Sequence, residues 1–515
     1  MIKQRFEKIL NQSERGQAII LIAFAIVGLV AMVGLVTDTG ILLIEYGKLK
    51  RGVDAAAVAA AQQYRLSGNV LDQSALENAA INFLQLNQSS DIVEDSVIVH
   101  SCESPEGDRP ALCNPDPVNN PNDNRKLVEV IASKTVHFGF LRVIGINQTT
   151  VTANAVGEAA TIDMVVVIDN SGSMAYETSA SPGGNDPSTC NPTNTCQPMR
   201  VVKDTALDFL DTLYFPYDRV AVVTMTSPSD RDPVEVLPLT SNKADIVDAI
   251  NSIQVFEPRN CDWNNPTEGS CLFYDPNGIF LGEVCEIYET NPDPATRDPS
   301  SCPSSNIGGA LKLARVAFTE DPAHTRLDAF WVVVSLIGGP ANATDATELH
   351  PNGFCPPNTW QRLPWCRDRQ PTVRHASDDP LVAYDNPLPI PDNDHTTINI
   401  SLYDPDDYAR DMADDLATTI SGEGVTIFTI GLGAAIKNTT YSDDYYPDGV
   451  TKIPPAEDLL MYIAACAGEA SPDDCATPIT TPVINHGQYF YAPNNLALAD
   501  IFDRIAKNIA TKISQ

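Results

Sequence analysis

Ile162-Asp-Met-Val-Val-Val-Ile-Asp-Asn-Ser-Gly-Ser-Met174 is the stretch on which the reading of this chain turns. Its centre, Met164 to Ile168, is an uninterrupted apolar run bounded by Asp163 and Asp169. A run this short and this apolar predicts a strand buried on both faces of a parallel sheet. It ends in Asp169-x-Ser171-x-Ser173, on a turn bent by Gly172. One carboxylate and two hydroxyls at alternate positions offer hard oxygen donors, which suit Mg2+ or Ca2+ rather than zinc or copper. In an open α/β sheet such a turn lies at the carboxyl end of its strand, where ligands bind.

Outward from this stretch, β and α patterns alternate, which predicts a mostly parallel sheet with helices on both faces. Strands are expected at Arg219 to Met225, Ala329 to Ile337, Val425 to Gly433 and Gln488 to Tyr491, with an edge strand at Val234 to Leu239. Met199 to Tyr214 is amphipathic, with Val201, Val202, Leu207, Leu210 and Leu213 inward. Further helices are expected after Ser241-Asn242, from Ser305 to about Phe318, and over Asp406 to Ile420, Ala456 to Ala467 and Leu496 to Ile513. Asp411, Asp414 and Asp415 read as the solvated face of one of these helices. Residues 256–303 and 339–402 read as cysteine-rich insertions.

The strand followed by Asp169-x-Ser171-Gly-Ser173-Met174 resembles the von Willebrand factor A (vWA) domain, whose DxSxS motif starts a metal-ion-dependent adhesion site. The resemblance implies a Rossmann-like α/β fold over 161–515 and a metal set of Asp169, Ser171, Ser173 and Ser305. Ser305-Asn306-Ile307-Gly308 stands where the family has a Thr at a helix start; a plain helix cap is the other reading of Ser305. The family's third motif is Asp-Gly after a long strand, but here Ile337 precedes Gly338. An isoleucine cannot ligate a cation or bond its water, so any Mg2+ or Ca2+ is expected to be held weakly. Asp345 is a substitute carboxylate by position, or an ordinary surface acid.

Upstream, Ala18 to Val36 contains no charged residue. As a helix it spans roughly 28 Å, close to a bilayer core. The layout expected is a cytoplasmic tail over 1–17, a transmembrane anchor over 18–44 and a small α+β, pilin-like region over 45–160. In that region an alanine-rich helix, Asp54 to Tyr64, precedes strand-like runs at Ser96 to His100, Leu127 to Ser133 and Thr149 to Val156. Arg15-Gly-Gln-Ala-Ile-Ile-Leu21, Leu49-Lys-Arg-Gly-Val-Asp-Ala-Ala-Ala57 and Phe138-Gly-Phe-Leu-Arg-Val-Ile-Gly-Ile146 resemble the membrane-proximal region of TadG-like proteins of the Flp/Tad (tight adherence) pilus-assembly machinery. That resemblance implies a single-pass bacterial membrane protein with most of its chain outside the cytoplasm.

The chain has 515 residues and a formal net charge of -34, which disfavours a nucleic-acid or anionic-membrane partner for its soluble part. Its twelve cysteines fall in sequence-near couples, 102/113, 190/196, 261/271, 285/302, 355/366 and 466/475. None has C-x-x-C spacing, and an even count in loop-rich sequence points to disulfides in an oxidising compartment. There is no H-E-x-x-H, no G-x-S-x-G and no P-loop, so no catalytic role is expected. The function expected is protein–protein binding, with a pilus-assembly component or a surface ligand as partner. A stand-alone adhesin, and a secreted Ca2+-stabilised hydrolase, are the alternatives.

Overall fold

Alanine and long apolar side chains dominate Ile2–Ala61, and this stretch forms one helix of 60 residues, α1. The computed structural model describes residues 2–64, 66–67, 70–87, 96–114, 124–175, 187–226, 232–256, 272–274, 280–283, 305–320, 325–345, 375–376, 394–398, 403–419, 424–439, 442, 444–446, 448–469 and 485–513. The chain divides into two units, Met1–Ala159 and Ala160–Gln515.

In the first unit α1 is followed by α2 (Gln73–Asn87) and three antiparallel strands, β1 (Val97–Ser101), β2 (Lys126–His137) and β3 (Gln148–Ala159), in the order β1-β2-β3. The alanine-rich stretch has a packing reason beyond helix propensity. Ala56, Ala57, Ala60 and Ala61 are buried, and a Cβ added at Gly157 of β3 would stand 2.3 Å from the Ala57 carbonyl oxygen. Small residues on both sides let strand and helix backbones touch. Residues 18–61 of α1 are long and apolar enough to cross a membrane, by length and composition.

The second unit is built on a six-stranded sheet. Its strands are β4 (Ile162–Ile168), β5 (Arg219–Thr224), β6 (Val234–Thr240), β7 (Phe330–Ile337), β8 (Thr426–Leu432) and β9 (Tyr489–Ala492). The order is β9-β8-β7-β4-β5-β6, with only the edge strand β6 antiparallel to its neighbour. The expected α/β class, mostly parallel and vWA-like, is what the structure has. Among the described residues, the helices of ten or more residues that flank it are α3 (Met199–Leu210), α4 (Lys243–Ser252), α5 (Ile307–Thr319), α6 (Pro405–Ala417), α7 (Pro455–Ala465) and α8 (Asn495–Ile513).

β4 shows why a continuous apolar run was needed. Met164, Val166 and Ile168 join a core with residues of α3, α4 and α8. Val165 and Val167 point the other way, into a core with residues of α5, α6 and α7. Each such side chain contributes about 1.5–3 kcal/mol relative to exposure. At the strand's amino end Asp163 is buried between two guanidiniums. Arg219 donates to its carboxylate at 2.9 and 2.5 Å, and Arg326 bonds it from the other side.

One expectation on a helix face is corrected. Asp411 and Asp414 of α6 are buried, not solvated. The Tyr403 hydroxyl donates to Asp411 at 2.9 Å, while Asp414 accepts from the Tyr462 hydroxyl at 2.9 Å and from the Gly468 N–H at 2.6 Å. On α3 and the turn after it the expected inward face holds: Val202, Leu210 and Leu213 are buried and Val201 and Leu207 pack against the same core, with Phe209 and Lys203 covered as well. Of the expected cysteine couples, Cys102–Cys113 and Cys190–Cys196 are disulfides. Cys466 is also disulfide-bonded; the couples 261/271, 285/302 and 355/366, and Cys475, lie outside the described residues.

Candidate ligand face at the carboxyl end of the sheet

The chain leaves β4 toward β5 and β6 on one side, then returns to β7, β8 and β9 on the other. The strand order therefore reverses between β4 and β7, and a crevice opens at their carboxyl ends. Asp169 stands at that point. Its N–H donates to the Leu336 carbonyl at 2.8 Å, prolonging the β4–β7 ladder. Its carboxylate accepts the Gly338 N–H at 2.7 Å and the Ser171 N–H at 2.8 Å. The second bond is a side-chain-to-backbone turn of the kind Asp favours. Burial pushes the Asp169 carboxyl above its ordinary value, against the opposing bonds from Gly338 and Ser171. A carboxylate held this way gains from a cation that restores its charged form.

Asn170 and Ser171 continue the turn, and both are buried. The Asn170 carboxamide oxygen accepts the Thr226 N–H at 3.0 Å, and its nitrogen donates to the carbonyls of Thr226 at 2.8 Å and Gln254 at 3.2 Å. The Asn170 carbonyl accepts the Phe256 N–H at 2.6 Å. Sequence reading passed over Asn170; its only signal was a carboxamide directly after a core strand. The side chain of Ser173 lies outside what the structure describes.

Ser305 and the segment 338–345 form the other wall. The Ser305 N–H donates to Asn342 Oδ1 at 2.9 Å, and the Asn342 N–H returns to the Ser305 carbonyl at 3.2 Å. One short segment thus bonds Asp169 at Gly338 and Ser305 at Asn342. The cap of α5 is Asn306 rather than Ser305. Its side-chain oxygen accepts the Gly309 N–H at 2.9 Å, which leaves the Ser305 hydroxyl out of the capping role. Asp345 is tied down, accepting from Asn306 Nδ2 at 2.8 Å and from Lys312 Nζ at 3.1 Å. Ile337 is fully buried in the core shared with α5, α6 and α7.

These donors match a hard cation in type and fall short of one in charge. Asp169 carries a carboxylate, Ser171 and Ser305 carry hydroxyls, and Ile337, where the expected third motif would have an acid, is hydrocarbon. Among the described residues no group of three or more His, Cys, Asp or Glu is arranged to hold a metal. Any cation here would depend on hydroxyl oxygens and retained water, which Mg2+ tolerates.

Residues 164–268 match the family model described as the von Willebrand factor type A domain. With the strand order and the Asp169 turn, this identifies a vWA domain within the chain. No curated protein matches the sequence. Among solved structures, the PilB minor pilin from Streptococcus sanguinis is similar at 14% identity and a TM-score of 0.35, over 76% of this chain and 76% of that one. The vWF domain of the type V pili tip protein Mfa5 from Porphyromonas gingivalis is similar at 15% identity and a TM-score of 0.34, over 69% of this chain and 97% of that one. The pilus adhesin SpaC from Lactobacillus rhamnosus GG is similar at 12% identity and a TM-score of 0.33, over 75% of this chain and 32% of that one.

Proposed function

We propose that this chain is a membrane-anchored binding protein, not an enzyme. Its vWA domain engages a protein partner at the carboxyl-end face of the sheet. The observation that carries this reading is the buried Asp169 carboxylate, fixed by Gly338 and Ser171 where the strand order reverses. A weakly held Mg2+ or Ca2+ on Asp169, Ser171, Ser173 and Ser305 would present positive charge to a partner carboxylate. The apolar part of α1 would anchor the chain, with the second unit outside the cytoplasm, where the disulfides Cys102–Cys113 and Cys190–Cys196 persist. The resemblance of the amino-terminal region to TadG-like proteins supports a role in Flp/Tad pilus assembly or adhesion.

The test is the double variant Asp169→Ala, Ser171→Ala in the bacterium that carries the protein. The variant should be exported at the normal level and fail to support surface attachment and piliation. Attachment and pili at wild-type level would overturn the reading.

A further inference from the structure

From residue 18 to residue 37 of α1 one position alone is buried, Gly34. Asp38 is buried too, and it lies one turn further along the same face. Both are covered by the segment between β2 and β3. A Cβ at Gly34 would stand 2.7 Å from the Phe140 Cβ, so this glycine makes room for Phe140. The Asp38 carboxylate accepts the N–H groups of Gly139 at 2.9 Å, Phe140 at 2.9 Å and Leu141 at 2.6 Å. Three successive backbone donors thus bind the segment to the helix, just where the uncharged run of α1 ends.

The bound segment faces outward with apolar groups. Phe140 is 47% exposed, Val143 87% and Ile146 47%, around a short turn over Leu141–Ile144. Arg142 is exposed beside them. Among the described residues of the first unit, Val143 is left uncovered and Phe140 and Ile146 are covered over only about half of their surface. They are fixed at the height of the last turn of an apolar run whose own side chains are exposed. If that run crosses a bilayer, the loop stands at the bilayer surface, because Phe140 contacts Gly34 inside the run.

We propose that residues 139–146 are a lipid-facing foot. Phe140, Val143 and Ile146 enter the outer leaflet just below the head groups, and the Arg142 guanidinium meets lipid phosphate. Asp38 positions the foot, and its charge is tolerated there because backbone N–H groups surround it. Apolar side chains with a basic neighbour are the composition of interfacial segments. The proposal rests on α1 being a membrane span.

The test uses the full chain in phosphatidylcholine vesicles whose acyl chains carry bromine, a quencher of tryptophan, either near the head group or near the methyl end. Single tryptophans are introduced by Val143→Trp, by Leu29→Trp within the apolar run and by Leu112→Trp, 63% exposed beside the Cys102–Cys113 disulfide. The wild-type protein, with four tryptophans, gives the baseline. Val143→Trp should lose its added emission to the shallow bromines and shift to the blue, while Leu112→Trp loses none. In a background of Asp38→Asn, which replaces an acceptor oxygen by a donor, the quenching at 143 should fall. If Leu29→Trp is quenched by deep bromines and Val143→Trp by neither, the foot is overturned and the anchor stands. Shielding of Val143→Trp from aqueous iodide without lipid quenching also overturns it, in favour of a protein contact. If Leu29→Trp escapes quenching, the anchor itself fails and the foot fails with it.

Discussion

Asp169 and Ile337 set the character of the candidate ligand face between them. Burial holds the Asp169 carboxyl above its ordinary value of 3.8, so stability falls as pH rises from that value to the raised one. Bound Mg2+ would reverse that cost by stabilising the charged form. Ile337→Asp would restore the missing acid and place a buried, unpaired carboxylate at the end of β7, at a cost on the order of several kcal/mol without metal. The variant should melt below wild type in chelator, and its melting temperature should climb more steeply with added Mg2+. Asp169→Ala should abolish the Mg2+ response in either background. Lys203 offers an independent pH test. Burial, helped by Arg200, lowers its ammonium to about 8, although Asn194 Oδ1 and the Asn251 carbonyl accept from it at 2.8 and 3.0 Å. The native state then binds fewer protons than the unfolded one between about 8 and 10.5, so the cost of burying the charge disappears as pH rises through that window. Thermal unfolding in detergent should show wild type gaining on Lys203→Gln between pH 7 and pH 10.

At the scale of elements, what was legible in the sequence follows from burial. β4, β5, β7 and β8 are covered on both faces, so they appear as short apolar runs that turn residues delimit. β6 could be read as an edge because its sequence, Val-Glu-Val-Leu-Pro-Leu-Thr, mixes polar residues and a Pro into the run. The site was half legible. Asp169 and Ser171 belong to one local pattern, whereas Asn342 meets Ser305 only when 338–345 folds over the start of α5; the cap of Asn306 on Gly309 is local but competes with the adjacent Ser305 in sequence. The burial of Asp411 and Asp414 was hidden for the same reason: an acid looks solvated until the tyrosines that satisfy it are brought in from Tyr403 and α7. Two substitutions test these element contacts. Asp404 caps α6, accepting from the N–H groups of Asp406 and Asp407 at 2.9 and 3.2 Å, and Asp404→Ala should cost about 1 kcal/mol in denaturant unfolding. A Cβ at Gly308 of α5 would fall 2.5 Å from the Tyr408 ring and 3.1 Å from the Ala409 Cα. Gly308→Ala should therefore wedge α5 from α6 and destabilise by about 1–3 kcal/mol in the same assay.

For the whole molecule, the proposed compartment rests on the chemistry of the cysteines rather than on the fold. A phosphatase reporter fused after residue 61 should be active outside the cytoplasm, and peptide mapping of unreduced protein should recover Cys190 joined to Cys196. A cytoplasmic reporter, or free thiols at those positions in envelope-purified protein, would refute the topology. Asn170 adds a consequence that concerns force. Its side chain grips Thr226 and Gln254, and its carbonyl grips Phe256. If the proposed partner is seated on the Asp169 turn, tension on it would be divided among β4, the end of β5 and the stretch of chain leaving α4. Hydrogen bonds loaded side by side yield at a higher force than bonds pulled one after another, so under such a load the turn should resist extraction as a block rather than peel away from the sheet.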